Sequence, residues 1–422
     1  MRLRVTGVLW AFEALCLSSG LAFGQDTHPP GSDSLWTRPE LLDGAGGPKQ
    51  ALRNLGIDTD VWLTQFYQGA TEGAGPHEGM YAGKADAFVT LDLAKFGLWR
   101  GLSVNVHQEW AWGESPNFSQ GTLLPVNTAW AWPTAGDKDK DTSIIVTQKF
   151  GDQVSVTVGK FNMLDQAYKT PIRGGGGYDE FMNIAPTAPV TGIIPPYLLG
   201  GNLTIKTEPA IFSLFVYDPR NAQDWDVIEH PFADGVTING SVTIPVKIAG
   251  LTGYQGFKVV YSNENVLDFT DIPDLFLPPP SASGPDTREL GWFVAYEFEQ
   301  YLYQNPSNPQ QGWGVFGYIS DSQGNPNQLK IAWFLGLAGT SFLPSRELDR
   351  WGLMYFRDNV TPVLKESVAI LGVDLHDESG WEAFYNFAVT PWFRITADAQ
   401  FIEPGLATES AVFLGLRNQI KF

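Results

Sequence analysis

The 422-residue sequence predicts an all-β fold, a transmembrane antiparallel β-barrel of sixteen strands behind a short N-terminal helix. Three observations lead there. The chain closes on an alternating segment: Val412, Leu414, Leu416, Asn418, Ile420 and Phe422 make one mostly apolar face, and Phe413, Gly415, Arg417, Gln419 and Lys421 make the other, which carries the charge. Sixteen strand-like segments follow one another with almost no helical periodicity between them. Tight turns alternate with long connections, as in outer-membrane barrels, where turns and loops lie at opposite ends. Soluble proteins rarely end their last ordered strand on the terminal residue. In a barrel, that strand must pair with the first.

The N-terminus reads as a secretory leader over 1–24. Arg2 and Arg4 precede an apolar run interrupted by Glu13, and Ala22–Phe23–Gly24 supplies a small-residue cleavage site. The single cysteine, Cys16, falls inside it, so disulfide and thiolate chemistry are not expected of the mature chain. The formal net charge is −19, and loss of two arginines and one glutamate with the leader makes it one unit more negative. Clustered Lys and Arg are what phosphate contacts need, so nucleic acid is excluded as a partner. After residue 25 no window holds ~18 unbroken apolar residues, which argues against a membrane helix but not against a barrel.

Residues 25–56 read as a flexible Pro/Gly-rich segment followed by a short helix over 48–55, with Pro48 in its first turn and Gly56 ending it. The barrel is expected over 57–422. Its strands are expected at 58–69, 84–96, 101–113, 142–150, 153–162, 197–207, 210–218, 234–246, 251–263, 290–303, 311–321, 329–340, 349–358, 380–390, 392–403 and 411–422. Alternation is plain in several. Leu102, Val104, Val106, Trp110 and Trp112 oppose Ser103, Asn105, His107 and Glu109. Trp292, Val294, Tyr296 and Phe298 oppose Glu297 and Glu299, and Phe393, Ile395 and Phe401 oppose Arg394, Asp398 and Gln400. A soluble sandwich would alternate as well. The connections favour the barrel: tight turns at 97–101, 151–152 and 208–209, long loops at 114–141, 163–196, 219–233, 264–289 and 359–379, and a further long connection at 70–83. Trp and Tyr near the strand ends fit interfacial girdles.

With these segments in place, the chain resembles the carbohydrate-selective outer-membrane porins of the OprB type. Arg53–Asn54–Leu55–Gly56–Ile57, Leu91–Asp92–Leu93–Ala94–Lys95–Phe96, and Val158–Gly159–Lys160–Phe161–Asn162 followed by Asp165 carry the likeness. So does the tail, from Glu382–Ala383–Phe384–Tyr385–Asn386–Phe387 through Thr390–Pro391–Trp392 and Asp398–Ala399–Gln400–Phe401 to Phe422. Segment 219–330 carries little of it. The resemblance implies passive diffusion of mono- or oligosaccharides across the outer membrane of a Gram-negative-type bacterium, with loop 163–196 folded into the lumen and no cofactor. A general porin for small polar or cationic solutes, or a secreted sugar-binding protein or hydrolase, are the alternatives.

Sugar passage needs polar groups that replace water and aromatic faces for the C–H surface. In the long loop these are Arg173, Tyr178, Asp179 and Glu180. On the wall they are His107, Glu109, Lys160, Arg394, Asp398, Gln400 and Arg417. Alternation aims Lys160 at lipid, so it needs a bulge or a strand end to turn inward. Phe422 is the expected signal to the barrel-assembly machinery, outer-membrane lipid is the expected surround, and a homotrimer is the expected assembly. The run Asp137–Lys138–Asp139–Lys140–Asp141 hints at calcium, but a Gly after the third Asp and a Glu at the twelfth position are lacking, so a charged loop is the better reading and no metal site is expected. No H-E-x-x-H, G-x-S-x-G or phosphate-binding loop occurs. Glu297 and Glu299 could mimic a glycosidase pair, but two acids on one strand face are more often a polar wall.

Overall fold

The computed structural model describes residues 34–44, 46–131, 141–166, 170–174, 180–187, 194–277 and 285–422. The leader, Asp137–Lys140, Tyr178 and Asp179 lie outside them. A helix α1 (Pro48–Leu55) leads into sixteen strands. The first eight are β1 (Ile57–Glu72), β2 (Gly79–Asp92), β3 (Leu102–Gly113), β4 (Thr142–Phe150), β5 (Val154–Asn162), β6 (Tyr197–Lys206), β7 (Ile211–Tyr217) and β8 (Thr237–Ile248). The rest are β9 (Leu251–Leu267), β10 (Thr287–Asn305), β11 (Asn308–Ser322), β12 (Leu329–Thr340), β13 (Arg350–Val360), β14 (Glu378–Ala388), β15 (Phe393–Glu403) and β16 (Ala411–Lys421). Each pairs with its chain neighbour, and β16 pairs with β1 to close the barrel.

The sixteen expected segments correspond one to one with these strands. Most boundaries agree within a few residues, and two of the differences have local reasons. Residues 93–96 leave the expected strand as a single helical turn, because the Asp92 carboxylate accepts the Ala94 N–H at 3.1 Å and caps it. The long connection expected at 70–83 shrinks to 73–78, since the β1–β2 ladder runs on to Gly69 opposite Gly79.

Closure rests on the β1–β16 register, Trp62 opposite Lys421 and Ala70 opposite Phe413. The Phe422 N–H extends it to the Val61 carbonyl at 2.8 Å. Helix α1 fastens this seam from the short-turn end. The Lys49 ammonium donates to the Phe422 carbonyl at 2.8 Å and Asp60 at 2.9 Å, and it also pairs with Glu40. Arg53 binds Asp43 at 2.7 Å and Asp58 at 3.0 Å. Burial of Glu40, with Asp60 beside it, pushes its carboxyl up to about 7 against the opposing pull of Lys49.

Two faces separate along every well-patterned strand. On β16, Leu414 and Leu416 are half exposed on the outside, while Phe413, Arg417 and Gln419 are buried within. The outer face carries Val156, Val158, Phe257, Val259, Ile319, Leu335, Trp381 and Phe401. An apolar outward band of this kind is the pattern of transmembrane barrels.

Candidate functional site: the filled lumen

The inner wall is less uniformly polar than alternation alone suggests. Phe293, Phe316, Phe334, Phe356, Phe384 and Phe413 point inward from β10 to β14 and β16, and all are buried. They form one apolar cluster with Val126 from loop 114–141 and with Ile172, Phe181 and Ala185 from loop 163–196. The Phe181 ring meets Phe384 edge-on at 4.7 Å and Phe316 at 5.6 Å. Both long loops therefore fold into the barrel and seat on an aromatic belt.

Buried wall carboxylates fix the backbone of these loops. Glu299 accepts the N–H groups of Ile172 at 2.9 Å and Arg173 at 3.1 Å, and the Thr170 hydroxyl. Glu382 accepts the N–H groups of Met182 and Asn183, the latter at 3.2 Å. Glu378 accepts those of Leu123 at 2.6 Å, Leu124 at 3.1 Å and Gly405 at 3.2 Å. Non-regular backbone inside a barrel needs partners for its polar groups, and these acids supply them. Arg350 supplies the opposite sign, donating to the Ile172 carbonyl at 2.8 Å and pairing with Glu180 at 2.7 Å. Gly174, at φ +75°, lies so close to the Glu180 carboxylate that a Cβ there would overlap it.

Among the residues anticipated from sequence, Arg173 and Glu180 come together in the lumen. The Arg173 guanidinium lies 5.4 Å from the centre of the Phe334 ring, 3.7 Å from Glu297 and 3.9 Å from Glu299. Arg417 donates to the Glu180 carbonyl at 2.6 Å and to Thr396 at 3.1 Å. Gln400 donates to the Val126 carbonyl and to Asp398, both at 2.9 Å, and accepts from Asn183 at 3.1 Å. These three wall residues thus contact loop backbone or one another. His107 joins the loop's first turn, with Nδ1 2.7 Å from Asp165 and Nε2 3.0 Å from Asp86. Glu109 receives Asn162 at 2.9 Å, the Tyr197 hydroxyl and the Lys84 ammonium. Asp86, His107 and Glu109 hold three ligand-type atoms within 4.8 Å of one another, but Lys84, 3.3 Å from Asp86, already supplies the positive charge between the acids.

Two candidates lie elsewhere. The bulge needed to turn Lys160 inward is absent: the β4–β5 register is unbroken, and Lys160 stands opposite Ile144, on the outer face. Its ammonium rests against Tyr197 and Trp225, 5.1 and 5.9 Å from their ring centres. Arg394 sits at the short-turn end, bound to Asn386 at 2.8 Å and the Leu348 carbonyl at 3.0 Å. Sequence reasoning missed Glu382, Glu378, Arg350 and Lys84. Only the inward parity of an acidic or basic residue within an apolar strand marked them.

Fold and interior together define an outer-membrane porin. The chain belongs to the carbohydrate-selective porin family, OprB, which it matches over residues 77–422. It is an outer-membrane channel for sugar-selective diffusion. Among solved structures it is similar to OprB of Pseudomonas putida at high pH, with a TM-score of 0.75, 16% identity and coverage of 93% of this chain and 100% of that one. The low-pH structure of the same protein gives a TM-score of 0.54 and 14% identity, covering 92% and 99%. A loop-deletion form of OmpT, an outer membrane protein of Vibrio cholerae, gives 0.50 and 11%, covering 87% and 99%. No curated protein sequence matches.

Proposed function

We propose that sugars cross this barrel at a constriction formed by Arg173 and the wall facing it, and that selection there works through hydrogen bonds and ring contact. The observation that carries this reading is the Arg173 guanidinium, poised between the Phe334 ring and the Glu297 and Glu299 carboxylates. A sugar entering a narrow pore loses part of its hydration shell. Guanidinium donors and a carboxylate acceptor restore hydrogen bonds to its hydroxyls, and a nearby ring gives its C–H face an apolar partner. Glu180, Arg417, Asp398 and Gln400 serve as positioning residues for the loop that carries Arg173. Tyr178 and Asp179, from the same loop, remain candidates on sequence grounds. His107 and Glu109 anchor the start of that loop.

The chain performs no catalysis on this reading. Glu299 is committed to three loop donors, which leaves Glu297 without a carboxyl partner for acid–base work on a glycosidic bond. Outer-membrane lipid surrounds the apolar outer face, and the assembly machinery reads the segment ending in Phe422.

Planar-bilayer conductance with a sugar panel tests the reading. Arg173→Ala is expected to weaken sugar block several-fold while changing chloride conductance less. Equal effects on both would remove Arg173 from the constriction. A wild-type channel that no sugar blocks would favour the general-porin alternative.

A further inference from the structure

The loops do not fill the lumen evenly. Inward residues near the strand middles are buried around most of the wall, among them Asn202, Phe334, Met354, Glu382 and Arg417. On β8, β9 and β10 the inward residues Ser241, Lys258 and Glu297 keep partial exposure. The three are neighbours by register. Ser241 stands opposite Lys258, Lys258 opposite Ala295, and Glu297 opposite Gly256. Gly256 has no side chain, so the Glu297 methylenes fold over it and its carboxylate stays near Arg173.

A small, water-sized cavity lies at this place, lined by Ser241, Thr243, Lys258, Glu297 and Tyr318. The charged neighbours of the Lys258 ammonium are Glu297 and Arg173, and among the described residues it makes neither a hydrogen bond nor an ion pair. Arg173 Nε, which lies 3.9 Å from Glu299, is buried and not open to a solute, so the Lys258 ammonium is the donor this place offers. A donor left over in this way is what a polyhydroxylated solute can use. A second space of similar size lies beside His107 and Asp165, but these two are already paired at 2.7 Å, and the rest of its lining includes the buried Asn105, Ser143, Ile145 and Phe161.

We propose that the solute path is eccentric, running along β8–β10 between Arg173 and a patch of Ser241, Lys258 and Glu297, and that Lys258 and Ser241 are specificity-determining contacts for neutral sugars. The second half of the proposal rests on the sugar-pore reading above; the first half does not. Lys258 donates to ring and hydroxyl oxygens, Glu297 accepts, and the Tyr318 ring, stacked 5.3 Å from Phe334, offers an apolar face.

Thiol mapping of the full-length channel tests the path without any sugar. In a Cys16→Ser background, Ser241→Cys and Ser143→Cys are each treated with a cationic methanethiosulfonate, with labelling read by mass spectrometry. Modification at 241 is expected to cut single-channel conductance by half or more, and residue 143 is expected to stay unlabelled. Block at 143, absence of labelling at 241, or labelling at 241 without block would each overturn the eccentric path. For specificity, Lys258→Met is expected to weaken sugar block about tenfold with a smaller change in ion conductance. Unchanged block would remove Lys258 from the contacts. If the wild-type channel shows no sugar block, the sugar reading fails while the thiol map still locates the path.

Discussion

The Glu299→Gln substitution probes how firmly the constriction is held. Glu299 takes two successive backbone N–H groups, of Ile172 and Arg173, and the Thr170 hydroxyl. Hydrogen bonds to a charged acceptor contribute about 1.5–3 kcal/mol each. Glutamine keeps the shape and one carbonyl oxygen, but it loses the charge and turns a donor toward a group that also donates. Loss of the equivalent of one such bond, about 2–3 kcal/mol, raises the undocked fraction of the loop roughly 30- to 150-fold at 1.4 kcal/mol per decade. The barrel's own ladders are untouched. Single-channel recording is expected to show flicker into higher-conductance states and weaker sugar block, while the heat-modifiable folded band on electrophoresis is unchanged. Traces identical to wild type would refute the argument that wall carboxylates position the loop. Loss of the folded band would mean that Glu299 supports the barrel instead.

Three further outcomes follow from the wall and the seam. Leu416→Arg places a charge on the lipid face of β16 beside the seam, at a cost of about 2–4 kcal/mol near the bilayer midplane, and equilibrium unfolding in lipid should show it. Arginine there with unchanged stability would mean that Leu416 does not face lipid. Phe422→Ala is expected to lower the yield of assembled barrel more than synthesis, read as folded against total protein in membranes; equal falls would deny it a part in assembly. The clamp at Glu40 should weaken as pH rises. With its carboxyl raised from 4.5 to about 7, the folded state holds a proton that the unfolded chain has released, so stability declines between those values. Amide exchange at Lys49 should quicken across that window, and Glu40→Gln should abolish the pH dependence.

Much of this architecture was legible because a lipid-facing strand obeys a simple rule. Each second side chain must be apolar, and Leu414 and Leu416, or Ile395 and Phe401, keep to it. The alternation of turns and loops located both ends of the barrel. Inside, the rule weakens, because an inward residue can meet water, a loop or another wall residue. Asp398, Gln400 and Arg417 were readable as inward but not as bound to loop or to one another, since their partners at Val126 and Glu180 lie more than two hundred residues away. The inward phenylalanines were obscured for the same reason: Phe316 and Phe334 sit in strands whose other face is also apolar, as in Tyr318–Ile319 and Trp333–Phe334–Leu335. Lys160 shows the reverse. Its alternation pointed outward, and the unbroken β4–β5 ladder kept it there.

By itself the sequence determined the number of strands, which face of the cleanly alternating strands points outward, and the closure of the last on the first. All three follow from the period of two and from connection length, which are local properties of the chain. Which lumenal groups are spent on holding the loops and which remain for a solute was decided only by tertiary structure. Glu299 and Glu297 are two residues apart on one face of one strand. One is enclosed by the amides of Ile172 and Arg173, and the other looks toward the Arg173 guanidinium and the cavity, because those amides sit beside Glu299 and no loop amide reaches Glu297 among the described residues.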